Sequence, residues 1–326
     1  MSSEGHTPST DRFQAPQHLK ELLMLRPLFC FMLMTLTTLF SPAFTPHAAA
    51  AIKPPAHAEK NEPQIEVRQI GSLDWHTDYG AAYKEARLSK KQLLICFELK
   101  TEESQSNFEQ TVLASEQLSD DLDKFTRVVL PTSTNVPGKE ENLLEHASFH
   151  HMHRSPGIAV LDLTNEESPL YSLLVSAHPF SYERAYSLDE VSTILSLPSG
   201  TITQRTMIYA LKRHPERPQS VNAVPHNYLM HMSNVNSSTM ARMHQVGHHN
   251  WTNRFHQING AVGGLSSEVA VSGNGYTLLD VANSCIRTWR SSSGHWNSMR
   301  KHHRYYGYDM VQSSNGTWYA TGIFVD

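Results

Sequence analysis

The stretch 75-WHTDYGAAYKEARLSKKQLLICFE-98 sets the reading of the first half of the chain. In it Tyr79, Ala82, Tyr83 and Ala86 recur at i, i+3, i+4 and i+7, one apolar helix face, so a helix covers about 78–89. The run LLICFEL at 93–99 is too short for a helix in this setting and reads as a buried strand. Outward from there, Phe108, Val112 and Leu113 mark the inner face of a helix over 107–124, and FTRVVLP at 125–131 is a second strand. A helix over about 140–152, a strand in SPGIAVLDL at 157–163, a strand in PLYSLLV at 169–175 and a helix from Leu188 to Leu197 complete the unit.

This β-α-β-α-β-β-α order, with a proline entering the third strand, resembles thioredoxin, and the opening stretch is similar to the start of thioredoxin-like proteins. The resemblance implies an α/β domain, a central sheet flanked by helices. In a redox-active member a CxxC motif follows the first core strand, where a helix N-terminus stabilises the thiolate. Here that place reads KTEESQSN at 100–107, so disulfide exchange is not expected, and Cys96 within the strand reads as a core residue. The resemblance also implies a cis peptide at Ser155–Pro156. Four histidines in HASFHHMHR, His146, His150, His151 and His153, include one pair a helical turn apart, but no Cys or carboxylate nearby completes a metal set, and a solvated or boundary cluster is the preferred reading.

SLPSG at 196–200 signals a boundary. Beyond it a helix over 203–213 ends at HPERP. A methionine-rich helix over 229–246 carries Met232, Val235, Thr239 and Met243 along one face, read as core packing. A short helix starts near Trp251, and 276–290 forms a longer one with Leu278, Ala282, Cys285, Ile286 and Trp289 in a stripe. The strand-like runs 304–313 and 317–325 flank Ser314-Asn315-Gly316, a hairpin signal. The half reads as α+β.

Four pieces of this half resemble the bacterial CAP/SCP superfamily. Met240-Ala241 is followed, eight positions after the methionine, by His248; SEVA at 267–270 puts Glu268 where the family has a glutamate; TWRSSSGHWNSM supplies Trp289, Ser292, Gly294 and His295; and the closing hairpin echoes the family's own. The resemblance implies an α-β-α sandwich with His248 and His295 in a central cleft and Glu268 and Ser292 supporting them. Imidazole nitrogens suit zinc, and Glu268 would ligate or orient an imidazole. A second family glutamate has no counterpart here, and His249 beside His248 leaves the first histidine open by one residue.

The 326 residues, 39% hydrophobic and 18% charged, favour two domains. A formal net charge of -4 gives no basic surface for nucleic acid, although RKHHR at 300–304 reads as a basic surface stretch. From Met24 the chain shows a positive start at Arg26, an apolar run from Leu28 to Phe40 and small residues at Ala48–Ala51, the anatomy of a signal peptide, with translation expected to begin at Met24 rather than Met1. A retained membrane anchor is the alternative. The expected organisation is 1–51 extension and signal peptide, 52–65 linker, 66–199 thioredoxin-like domain and 200–326 CAP-like domain, in a periplasmic or secreted protein. With Cys30 removed, Cys96 and Cys285 should remain as free buried thiols. Three readings of the cleft stand: a binding module for a lipid, glycan, peptide or protein, which is favoured; a metal-assisted hydrolase using His248, Glu268 and His295; and a structural cross-link. Trp251, Trp296 and Trp318 offer faces for a sugar, with core packing the expected role for most.

Overall fold

Asp78 closes the helix read first in the sequence: its carboxylate accepts from the Ala81 amide at 2.7 Å and caps α1, Tyr79–Ser89, which stops at left-handed Lys90. A computed structural model describes residues 67–181 and 184–326; the signal segment, the choice of start codon and the 52–65 linker lie outside the described residues. Before α1 come β1, Val67–Ile70, and β2, Leu73–His76; after it come β3, Gln92–Phe97, α2, Glu102–Phe108, α3, Glu116–Leu122, and β4, Phe125–Leu130. Then β5, Gly157–Leu161, β6, Leu174–Pro179, and α4, Leu188–Leu195, finish the first half. The sheet order is β1-β2-β4-β3-β5-β6, with β2, β4 and β3 parallel and β5 and β6 antiparallel to their neighbours.

Local polar chemistry moves several expected elements. The helix expected over 107–124 is three pieces: α2 passes into a π-helical turn at Glu109–Leu113, and Ser115 then caps α3. The turn carries Glu109 inward, where it accepts from Gln105 at 2.6 Å and from Arg68 at 2.6 Å. The helix expected at 140–152 shrinks to a 3-10 turn, Ala147–Met152, because the Asn142 side chain bonds Thr132 O and the Leu144 amide instead. Tight turns consume Ser168–Leu173, so the following strand starts at Leu174 rather than within 169–173. The cis peptide expected at Ser155–Pro156 is not formed: Pro156 is trans, and the chain reverses into β5 through two left-handed residues, His153 and Arg154, at φ 50 and 57.

The second half contains α5, Ile202–Lys212, β7, Val224–Pro225, α6, Asn227–Met243, α7, Trp251–Val262, β8, Ser266–Gly273, α8, Leu278–Ser291, α9, Ser293–Arg300, β9, Tyr305–Gln312, and β10, Trp318–Val325. Its sheet order is β7-β9-β10-β8. Strand alternation assigns the faces. Ala320 and Phe324 of β10 and Tyr306 and Tyr308 of β9 join the core with α5 and α8, whereas Tyr319, Ile323 and Val325 meet α6 and α7. Helices thus cover both faces of this sheet. Helix α5, just past the expected boundary, is buried at every position from Gln204 to Leu211 and packs in a core that contains residues of both sheets. Arg205 ties it to Ser176 of β6 at 2.7 Å, and Thr203 ties it to Asp309 of β9 at 2.6 Å. Within RKHHR, His303 is not on a basic surface: it is buried, stacked on Phe324, between Asp326 and the Ser298 carbonyl.

Helix α6 lies on β9 at Gly307, whose carbonyl accepts from Ser233 at 3.0 Å. A Cβ on Gly307 would overlap the backbone of Leu229 and Met230, so the helix can come this close only over glycine. Gly307→Ala is expected to lower stability by about 1–3 kcal/mol, read as a shifted urea midpoint. Unchanged stability would mean that α6 does not rest there.

Candidate functional site

Met240 of α6 begins the local architecture. After it the helix ends at left-handed His244, and the loop to α7 is stitched back by the Asn236 amide, which donates to Gly247 O at 3.1 Å, and by the Gly247 amide on the Met240 sulfur at 3.4 Å. The stitching holds His248 over β8. On β8, Val269 and Val271 enter the core shared with α8, and the alternation turns Glu268 and Ala270 toward α6 and α7.

Glu268 is almost wholly buried, its side chain 1% exposed, and it is paired with Arg254 of α7, whose side chain is 4% exposed. The pair is bidentate: Nη1 of Arg254 donates to Oε2, and Nη2 to Oε1 at 2.9 Å. The guanidinium also donates to Asn236 Oδ1 at 3.1 Å and, through Nε, to His249 O at 3.0 Å. It lies over the Trp251 ring at 5.2 Å. Each of its nitrogens is thereby satisfied, as a buried guanidinium requires.

His248 completes the arrangement. Its Nδ1 stands 2.9 Å from Glu268 Oε1 and, facing a carboxylate, carries a proton donated there, which leaves Nε2 outside that pair. The His248 side chain is 45% exposed. His295, near the start of α9, brings its ring to 6.4 Å from that of His248, centre to centre, and among the described residues its nitrogens have no hydrogen-bond partner. Burial, with the neighbouring His248 as a smaller cause, holds His295 below the ordinary histidine range.

The structure therefore brings together His248, Glu268 and His295, three residues scattered over the sequence. His249 is not the cleft histidine: its Nε2 turns to Gln245 O at 3.2 Å. Ser292 sits at the α8–α9 junction, and its hydroxyl neither caps α9 nor bonds any of the three. The supporting role expected of it is filled by Arg254 and Asn236, which sequence reasoning missed. Nothing in the spacing distinguishes a buried Arg254 from the solvated arginines of other helices. The tryptophans are apart: Trp296 is buried and donates to Glu216 at 2.9 Å, Trp251 underlies Arg254, and Trp318 opens β10.

Zinc fits this site poorly. Both carboxylate oxygens of Glu268 are committed to Arg254 and His248, which leaves two imidazoles where a stable zinc site takes three or four protein ligands. Among the described residues no group of three or more His, Cys, Asp or Glu is placed to hold a metal, the histidines of 146–153 included. Among the described residues no hydroxyl or thiol hydrogen bonds either cleft imidazole. Cys96 and Cys285 are buried free thiols, and burial pushes Cys285 up to about 12. The chain matches no protein-family model and no curated protein.

Two outcomes follow. Arg254→Met strands the buried Glu268 charge and should cost about 3–5 kcal/mol, with Glu268→Gln in the same background recovering part of it; a loss below ~1 kcal/mol would mean an exposed pair. In ring-NMR titrations His295 should have a midpoint below an ordinary histidine and move up in His248→Asn, which removes the neighbouring titratable imidazole. An ordinary midpoint that ignores the substitution would separate the two rings.

Proposed function

We propose that this is an exported binding protein, with a thioredoxin-like lobe that has no dithiol chemistry and a CAP/SCP-like lobe whose cleft captures a ligand between His248 and His295. The first lobe's topology supports the family reading: three parallel strands flanked by two antiparallel ones, β2-β4-β3-β5-β6, with a helix following β3. Where a redox member has its thiols, this chain has Thr101, whose hydroxyl accepts from the Ser104 amide at 3.2 Å, followed by Glu102 and Glu103. Cys96 stands one strand-turn earlier, buried, with its thiol pushed up by desolvation and by Glu109 and Glu98. A thiol that stays protonated is no nucleophile.

For the second lobe, support comes from a sheet covered by helices on both faces and from the arrival of His248, Glu268 and His295 at one place. The observation that carries the binding reading is that a fully satisfied Arg254–Glu268 pair orients His248, while Nε2 of His248 and the nitrogens of His295 have no hydrogen-bond partner among the described residues. Two imidazoles side by side, each with a ring nitrogen outside any protein hydrogen bond among the described residues, offer hydrogen-bonding positions to a polar group of a ligand. The hydrolase reading rests on the same carboxylate-oriented imidazole but lacks a nucleophile or a third metal ligand among the described residues. Export rests on the N-terminal pattern; among the described residues no helix is long and apolar enough to cross a membrane.

The test uses the full chain purified from cells that process its N-terminus. Small molecules extracted from it are compared by mass spectrometry with those from a His248→Ala/His295→Ala variant of equal melting temperature. The wild type should carry a species that the variant lacks, and p-nitrophenyl ester turnover should be equal in both. Identical contents would remove the cleft as a binding site, whereas ester turnover lost in the variant would replace binding with hydrolysis.

A further inference from the structure

The face of α6 read from the sequence as core, Met232, Val235, Thr239 and Met243, is only partly buried. Met232 is 5% exposed, but Met243 is 50% exposed, and the stripe that packs on the sheet runs instead through Leu229, Ser233, Asn236 and Met240. Val235 and Thr239 are left facing α7 across an open groove of about 570 Å³, which His248, Glu268 and His295 do not line. That volume lies within the ordinary range of small-ligand sites.

From this groove we infer a second binding site, for an uncharged carbohydrate. Its α6 wall presents Tyr228, Val235 and Thr239, and its α7 side presents Asn250 and Gln257, over Met232. The Tyr228 hydroxyl and the Gln257 carboxamide can each donate and accept; Thr239, whose proton goes to Val235 O, still accepts, and Asn250, whose Oδ1 accepts from Asn253, still donates, which together meet the mixed demand of sugar hydroxyls. The phenol ring and the two aliphatic side chains supply the apolar surface on which the C–H face of a pyranose rests. The remaining polar groups are His231, His249 and Arg254; among the described residues no carboxylate lines the groove.

Charge decides against other classes. An anionic ligand would need a free cation, but the nitrogens of Arg254 are consumed by Glu268, Asn236 and the His249 carbonyl. A cation would need a carboxylate, and there is none. A fatty chain would need a continuous apolar lining, whereas hydrogen-bonding side chains stand on both walls. A neutral ligand with many hydroxyls satisfies both walls at once. Arg254 is common ground: one side of it holds Glu268 of the cleft and another lines the groove.

The experiment titrates the full chain with cellotetraose and chitotetraose, followed by saturation-transfer NMR and calorimetry, with oleate in parallel. At least one oligosaccharide should bind saturably. Gln257→Ala should weaken it about tenfold, as for one lost pair of polar contacts, and Val235→Trp, which fills the groove, should abolish it. Binding should persist in His248→Ala/His295→Ala, which keeps this site separate from the cleft. The proposal is overturned if neither sugar binds, if oleate binds in their place, or if sugar binding survives Val235→Trp in a variant whose melting temperature is unchanged.

Discussion

The ion pair between Arg254 and Glu268 is the constraint on which the second half of this protein depends. A carboxylate removed from water on the covered face of the edge strand β8 is tolerated only with a counter-charge and full hydrogen bonding. Arg254 supplies the charge, and it is itself held by Asn236 from α6 and by the His249 carbonyl from the connecting loop. Four pieces of chain, α6, the loop, α7 and β8, thus meet at one guanidinium. The direction of the His248 imidazole is a by-product of that closure, since Oε1 of Glu268, which accepts from Nη2 of Arg254 with one lone pair, offers its other to Nδ1.

Around this pair the core on the α6 side is unusually polar, and most groups in it have a partner, the buried Ser266 hydroxyl of β8 being an exception. Asn236 also donates to Thr321 at 3.1 Å, Ser237 donates to Thr321 at 2.9 Å, and Asp309 accepts from Thr203, Gln204, Asn234 and the Met310 amide. Burial nonetheless pushes the Asp309 carboxyl above the ordinary range. Such a lattice admits few alternative registers, because a one-residue slip of α6 would strand several buried polar groups at once. The opposite face of the same sheet is mostly apolar and continuous with the first half through α5, and so the two lobes are joined by packing as well as by chain.

What was legible in the sequence was what depends on local periodicity or on single chemical types. The α1 face, the strands β3, β4, β9 and β10 and the α8 stripe all follow from apolar spacing, and the lack of cysteines at 100–107 needs no structure to read. His248, Glu268 and His295 were reached through a resemblance, and the fold does assemble them. The misses are tertiary or side-chain-to-backbone effects. Asn142 diverts a helix into a turn, Glu109 turns inward to meet Arg68, and two left-handed residues do the work expected of a cis Pro156. Asn236 illustrates the limit best. In sequence it is one of several asparagines in an N-x-S/T context, yet in the fold it is buried and binds the arginine that organises the site.

The claim that Glu268, held by Arg254, sets the orientation of His248 is tested most directly by the tautomer of that ring. A long-range proton–nitrogen spectrum of the neutral imidazole should show the proton on Nδ1 and a bare Nε2, and Glu268→Gln should disturb that preference. A proton found on Nε2 in the wild-type protein would contradict the account.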